Sequence, residues 1–529
     1  MKKFYGIFVV LLFVLFFILL QNCLGGNVDC FEESEEKFWF EQEKLLASDG
    51  ITGDSFGKSL FFDGNNLLVG APGDDDHGQM SGSAYFFNYD ENRWIQNQKI
   101  CPLDGDKNDN FGTSVCIRGN ISIIGAPGDN TKGTWSGAAY IFERTEGTWK
   151  QKVKLTAEKG TEFDFFGLSV SINQNTAIIG APGNDKFGNA AGCVYVFEKK
   201  NDVWTQTMNV YGSKAVSGQS FGTDIALDGE RFVVGAPSDK NQDYPGLVYV
   251  FQKGLQSSFS EQIEWREIAR IHPLHIKYDD NFGKTVAFCD ENLVVGAPAD
   301  DEKNAFSGSV YFFEYTRGRW LQKDRLLPFE SDPYQRFGDE VFIHKNSLLV
   351  STRNTNVFDS NYVNLYTKEN SEWKFEHTFQ AENITRVKDF GCSCSVRNDT
   401  VIIGASGDND QGNNSGSVFL FSQMKDNDPP VLRFNAPSDS LYFFGYEVQS
   451  LETSLIFGSI SINATAVDSL SGIRDLRIFI DGYEQYKTNS SAIDWKWNDT
   501  VFGKKVVEIV ASDNVGNQVS ERKIVWKFF

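Results

Sequence analysis

The oxygen-rich stretch DGDKNDN, residues 104–110, sets Asp104, Asp106, Asn108 and Asp109 at nearly alternating positions, as in a loop that wraps a hard cation. Calcium would suit these oxygens, but the glycine that turns such a ligand loop is missing, and a solvated acidic turn explains the same residues. A second set of acids recurs through the chain. Two residues after a Gly-Ala-Pro or Gly-Ala-Ser triplet stand Asp74, Asp129, Asn184, Asp239, Asp300 and Asp408. They read either as local turn caps that accept a backbone N–H or as one shared ligand-binding face.

Other chemistries find no residues. None of the five histidines, His77, His272, His275, His344 and His377, has a zinc-ligand spacing. The glycines after the apolar runs are followed by neither GK[ST] nor a helix, which excludes a phosphate loop. No HExxH helix occurs, and the two GxSxG matches, residues 53–57 and 218–222, coincide with FG pairs of the repeat, so no catalytic residue is assigned. A net charge of −21 argues against nucleic acid or an anionic membrane surface as partner, and favours cations or neutral and basic surfaces. No cofactor is required by any motif, with calcium the one candidate.

The elements that would position these groups follow one beat. Phe-Gly pairs begin at Phe56, Phe111, Phe166, Phe221, Phe282, Phe337 and Phe390. Tryptophans keep the same register at Trp39, Trp94, Trp149, Trp204, Trp265, Trp320 and Trp373. Gly-Ala-Pro starts at Gly70, Gly125, Gly180, Gly235 and Gly296, decays to Val350-Ser351-Thr352 and returns as Gly404-Ala405-Ser406. Each unit holds four short runs rich in β-branched and aromatic residues, bounded by Gly, Asn and Asp. Seven such units predict an all-β chain with a seven-bladed β-propeller, residues 38–427. The seventh unit lacks a Trp strand while an orphan one, FWFEQEKLL, stands near the start, so the spacing predicts that this strand closes the ring.

These units resemble FG-GAP repeats, the modules of integrin alpha-subunit propellers and of many secreted prokaryotic propellers, over about three quarters of the chain. The resemblance implies an extracellular binding or adhesion-type protein that recognises a protein or glycan through the loop-rich end of the ring. The integrin calcium hairpins do not carry over. Between FG and GAP this chain has only DGNN, RGN, NQN, DGE, DEN, HKN and RND. Two further readings stay open: an extracellular polysaccharide hydrolase whose carboxylates assemble only in three dimensions, about 5–10 Å apart in a central pocket, and an architectural surface-layer component.

The flanks place the protein outside the cell. Two lysines and an apolar run from Phe4 to Leu20 read as a signal peptide, residues 1–25, or an uncleaved anchor, the one route to a membrane. After a polar, proline-stiffened linker, residues 431–529 show about six strand-like runs whose alternation predicts an Ig-like β-sandwich, similar to domains of prokaryotic surface proteins. Cys101 and Cys116, which flank one FG pair, either form a disulfide or remain buried thiols.

Overall fold

The computed structural model describes residues 38–529 apart from 91–92, 238–245, 256–262, 274, 278, 330–331, 355–360, 382–386, 425–427 and 469–470. The N-terminal apolar run and Asp239 lie outside the described residues. Two compact units emerge, Trp39–Ser422 and Gln423–Phe529, and every named element is a β-strand.

The first repeat shows how the sequence builds a blade. Its strands are Ser59–Phe62, Asn66–Ala71, Ser83–Asp90 and Arg93–Ile100, paired in that order. The second, NLLVGA, is buried throughout, as a strand covered on both faces must be. The fourth, RWIQNQKI, buries only Trp94 and Ile100 because it is the outer edge. Seven such four-stranded antiparallel sheets follow one another, as the blades of a β-propeller do. In the seventh, Phe38–Leu45 pairs with Ser417–Met424 as the missing outer strand, and Phe56 bridges to Gly416 across the closure.

The two motifs of the repeat meet between blades. Phe56 is fully buried and packs edge-on against Tyr85 at 5.2 Å. Gly57 has φ 87°, and a Cβ there would lie 2.4 Å from the Ser417 carbonyl, so only glycine fits. A Cβ on Gly70 of the Gly-Ala-Pro triplet would lie 2.0 Å from the carbonyl of Gly112, the FG glycine of the next blade. A hydroxyl secures this approach. Ser59, Ser114, Ser169 and Ser393 each donate to the next FG glycine carbonyl at 2.8 Å, and Thr285 does so at 3.3 Å.

Two blades depart from this clasp. In the fourth, Asp224 takes the hydroxyl position and instead accepts the Val286 N–H at 2.7 Å. In the sixth, Glu340 takes it, and Ser351 supplies the hydroxyl to Gly391 at 2.7 Å from the neighbouring strand. Ser351 pairs with Val363 as Gly70 pairs with Ala84. The decayed triplet is therefore Ser351-Thr352-Arg353, one residue beyond the Val350-Ser351-Thr352 read from the sequence. Apolar side chains cannot distinguish the two alignments, whereas strand pairing can. Tryptophans seal the blade faces: Trp149 stacks on Phe86 of the preceding blade at 4.2 Å, and Trp373 on Phe312 at 5.2 Å.

The thiols do not pair. Cys101 sits against the Ser83 hydroxyl at 3.1 Å and Cys116 is buried in the core, each as a free cysteine. The C-terminal unit has a three-stranded and a seven-stranded sheet whose apolar residues, among them Ile462, Ile478, Ile509 and fully buried Trp497, form one cluster. Ten strands occur there, where the sequence shows about six runs, because short edge strands such as Ser440–Phe443 and Tyr446–Ser450 are parted by only two residues.

Candidate functional site

The longest loops of a blade join its second and third strands, residues 72–82 in the first, and lead from one blade to the next, residues 101–113 after the first. Antiparallel order puts both classes at one end of the ring, and the recurring acids lie in the first class. Asp74, Asp129, Asn184, Asp300 and Asp408 are all buried, with exposures of 0–6%. One oxygen caps the turn, as Asp74 accepts the Asp76 N–H at 3.1 Å and Asp129 the Thr131 N–H at 2.8 Å. The other faces an internal cation. Lys99 lies 2.8 Å from Asp74, 2.7 Å from Asp49 and 2.7 Å from Asp76. Lys154 lies 2.7 Å from Asp129 and 2.6 Å from Asp104, and Lys44 lies 2.5 Å from Asp408 and 2.6 Å from Asp410. Arg325 pairs with both Asp300 and Glu302.

Each cation also lies over the aromatic ring of the third strand, Lys99 over Tyr85 at 5.5 Å and Lys154 over Tyr140 at 5.3 Å. The acids are thus rigid posts of the rim, held from the outer strand. Sequence reading found the acids and missed their partners, although the signal was there: Lys44, Lys99, Lys154 and Arg325 each stand five residues after a repeat tryptophan. Burial works against the Lys99 charge, yet the hydrogen bonds it donates to Asp49, Asp74 and Asp76 hold its pKa above the usual lysine range. Lys99 in turn holds Asp49 below the usual carboxylate range despite its partial burial.

A further acid precedes each of several FG pairs. Burial pushes Asp54, Asp109 and Asp280 up to about 6, and the neighbouring Asp74, Asp129 and Asp300 add to the effect. In the third blade Asn184 replaces the second acid and donates to Asp164 at 3.2 Å.

The structure disperses the residues read as a calcium loop. Asp104 turns to Lys154, while Asp109 caps its own loop by accepting the Asp106 N–H at 2.8 Å. Asp106 accepts the Lys107 N–H at 2.7 Å, and Asn108 is held at φ 65°. Among the described residues carboxylates converge instead at Asp49, Asp74 and Asp76, around the Lys99 ammonium, and at Asp280, Asp300 and Asp301.

The first strands of all seven blades enclose an axial cavity of about 460 Å3. Its lining includes Asp224 and Glu340, the two carboxyls that replace clasp hydroxyls. Burial raises both, and the Asp224 charge raises Glu340 further.

The comparison with known families identifies the repeat. The FG-GAP repeat family matches residues 39–87, 94–142, 149–197, 204–251, 265–313 and 373–421, leaving out the sixth blade. No curated protein matches the chain. Among solved structures, a candidate 6-phosphogluconolactonase of Bacteroides fragilis aligns over 68% of this chain and 90% of its own, at 10% identity and TM-score 0.43. The extracellular domain of a candidate hybrid two-component system of B. thetaiotaomicron aligns over 94% of this chain and 62% of its own, at 13% identity and TM-score 0.39. Fibronectin(III)-like modules of Clostridium thermocellum align over 19% of this chain and 100% of their own, at 16% identity and TM-score 0.15. With six repeats matched over more than half of its 529 residues, the chain belongs to the FG-GAP repeat family.

Proposed function

We propose that this is an extracellular binding protein, secreted or held at the cell surface, that recognises a glycan or protein through the loop-bearing rim of its propeller. The observation that carries the reading is the rim itself. Every long loop class gathers at one end, on acid–cation posts that fix the loops to the blade, and preorganised loops on a rigid frame are where recognition concentrates. Family membership supports an extracellular ligand-binding role. The apolar N-terminal run supports export. The test is binding of the full chain to panels of extracellular glycans and proteins, with substitutions at exposed rim residues such as Trp135 and Phe163. Binding that these changes weaken is expected; binding that they leave intact would move recognition off the rim.

One observation favours a second reading, a hydrolase. Asp224 and Glu340 line the same axial cavity with raised pKa values, the environment in which a carboxyl can serve as a general acid. Polysaccharide cleavage lost in Glu340→Gln, with folding intact, would establish it.

A further inference from the structure

The third blade breaks the post-and-cation rule of its rim, and does so at several positions at once. Moving 55 residues along from the second blade, Asp129 becomes Asn184, Lys154 becomes Asn209, Asp104 becomes Lys159 and Thr131 becomes Lys186. The ion pair that fills this space in the first, second, fifth and seventh blades is replaced by two amides, and the ammonium groups move from the strand to the loops. A surface pocket of about 680 Å3 opens here, lined by Asn184, Gln206, Asn209, Tyr195 and Tyr211 and by both lysines. Tyr211 stands where the second blade has Thr156, and Phe187 where it has Lys132. Phe187 is half exposed and meets Tyr211 edge-on at 4.9 Å, with the Lys186 ammonium 4.6 Å from the Tyr211 ring.

We propose that this pocket is a saccharide site, selective for sugars that carry a carboxylate. The inference rests on the binding-protein reading above and assigns it a place and a ligand class. Aromatic rings offer a flat apolar surface for the C–H face of a sugar, and side-chain amides offer paired donors and acceptors to its hydroxyls. Gln206 donates to Asn209 at 2.5 Å, which orients both amides. Charge selects among sugars. On a protein of net charge −21, Lys159 and Lys186 line the pocket, whereas the equivalent space in the first two blades holds two or three carboxylates around one lysine. Two acids, Glu158 and Asp185, line the pocket with the two lysines; Asp185 accepts the Ala190 N–H of its own loop at 2.7 Å, and behind the lining Asp164 accepts from Asn184 at 3.2 Å.

The rule-breaking blade supplies its own control. Asn184→Asp with Asn209→Lys rebuilds the ion pair that the first, second and seventh blades already fold around, and should fill the pocket without loss of stability. Calorimetric titration of the full chain with oligogalacturonides, and with the same oligomers after carboxyl reduction, reads both claims. Binding of the uronate form, at least tenfold weaker for the reduced form, for Lys159→Glu/Lys186→Glu and for the rebuilt blade, is expected. Equal binding of both sugar forms, an unaffected rebuilt variant, or no uronate binding overturns the site. The wider reading falls separately, when the full chain also ignores the glycan and protein panels.

Discussion

At the residue scale, the rim posts join a buried carboxylate to a half-open ammonium, a design that is costly to break on one side. Lys99→Met leaves Asp74, 3% exposed, without its counter-charge. A loss of about 2–4 kcal/mol is expected, toward the lower side because Lys99 is partly open to water. Asp74→Asn with Lys99→Asn, which imitates the third blade, should cost clearly less than the single changes added together, and urea titration of the four proteins measures the coupling. The second acid layer sets a pH dependence of opposite sign to ordinary acid unfolding. Asp54, Asp109 and Asp280 are held near 6 when folded and return to the ordinary value near 4 when unfolded, so the folded state binds more protons between those values. Stability from these groups is therefore greatest below about pH 4 and lost as pH rises through 6. Asp49 is held low by Lys99 and stays charged in that window. The melting temperature should rise from pH 7 to pH 5, and Asp54→Asn should stabilise by about 1–2 kcal/mol at pH 7 while flattening the profile. A melting temperature that falls steadily on acidification would contradict the assignment.

At the element scale, the clasp between blades explains why the sixth repeat can abandon its triplet. The hydroxyl that Glu340 cannot supply arrives from Ser351 on the next strand, so one bond is kept by two compensating changes. Ser351→Gly should cost about 1–2 kcal/mol, the value of a buried hydrogen bond whose acceptor is left unpaired. Glu340→Ser in that background restores the arrangement of the other blades and should recover most of the loss. A double variant no more stable than Ser351→Gly alone would show that the two positions are uncoupled. The sixth sheet still forms four strands, Phe337–His344, Ser347–Thr352, Tyr362–Glu369 and Glu372–Phe379, which shows that strand pairing outlasts the motif.

At the scale of the whole molecule, closure by the N-terminal strand turns a row of blades into a ring. Trp39 donates to Glu376 at 2.9 Å in the sixth blade, while Lys44 secures Asp408 in the seventh, so one strand ties both flanks. Deleting residues 38–46 exposes the edge of Ser417–Met424 and leaves Asp408 uncompensated. The propeller should melt many degrees lower, and a synthetic peptide spanning the deleted residues should restore part of the loss. An unchanged melting temperature would mean that the ring does not depend on this strand.

Much of this architecture was legible in the chain because its causes are local. A tryptophan, an FG pair and an apolar triplet recur about every 55 residues, each marking a strand or a turn whose conformation is set within a few positions. Even closure could be read, since a strand missing at one end of the repeats was present at the other. What only the tertiary structure decided is which charges meet. Lys99 reaches Asp49, Asp74 and Asp76 from 50, 25 and 23 residues away, and Ser351 answers for Glu340 on a different strand. A carboxylate in an isolated loop looks like a ligand, whether it is destined for solvent or for a lysine. Asp74 became a post, and the four oxygens of residues 104–109 parted company, because folding brings in partners from distant strands. Desolvation then penalises any charge left alone, and only the folded chain shows which charges were paired.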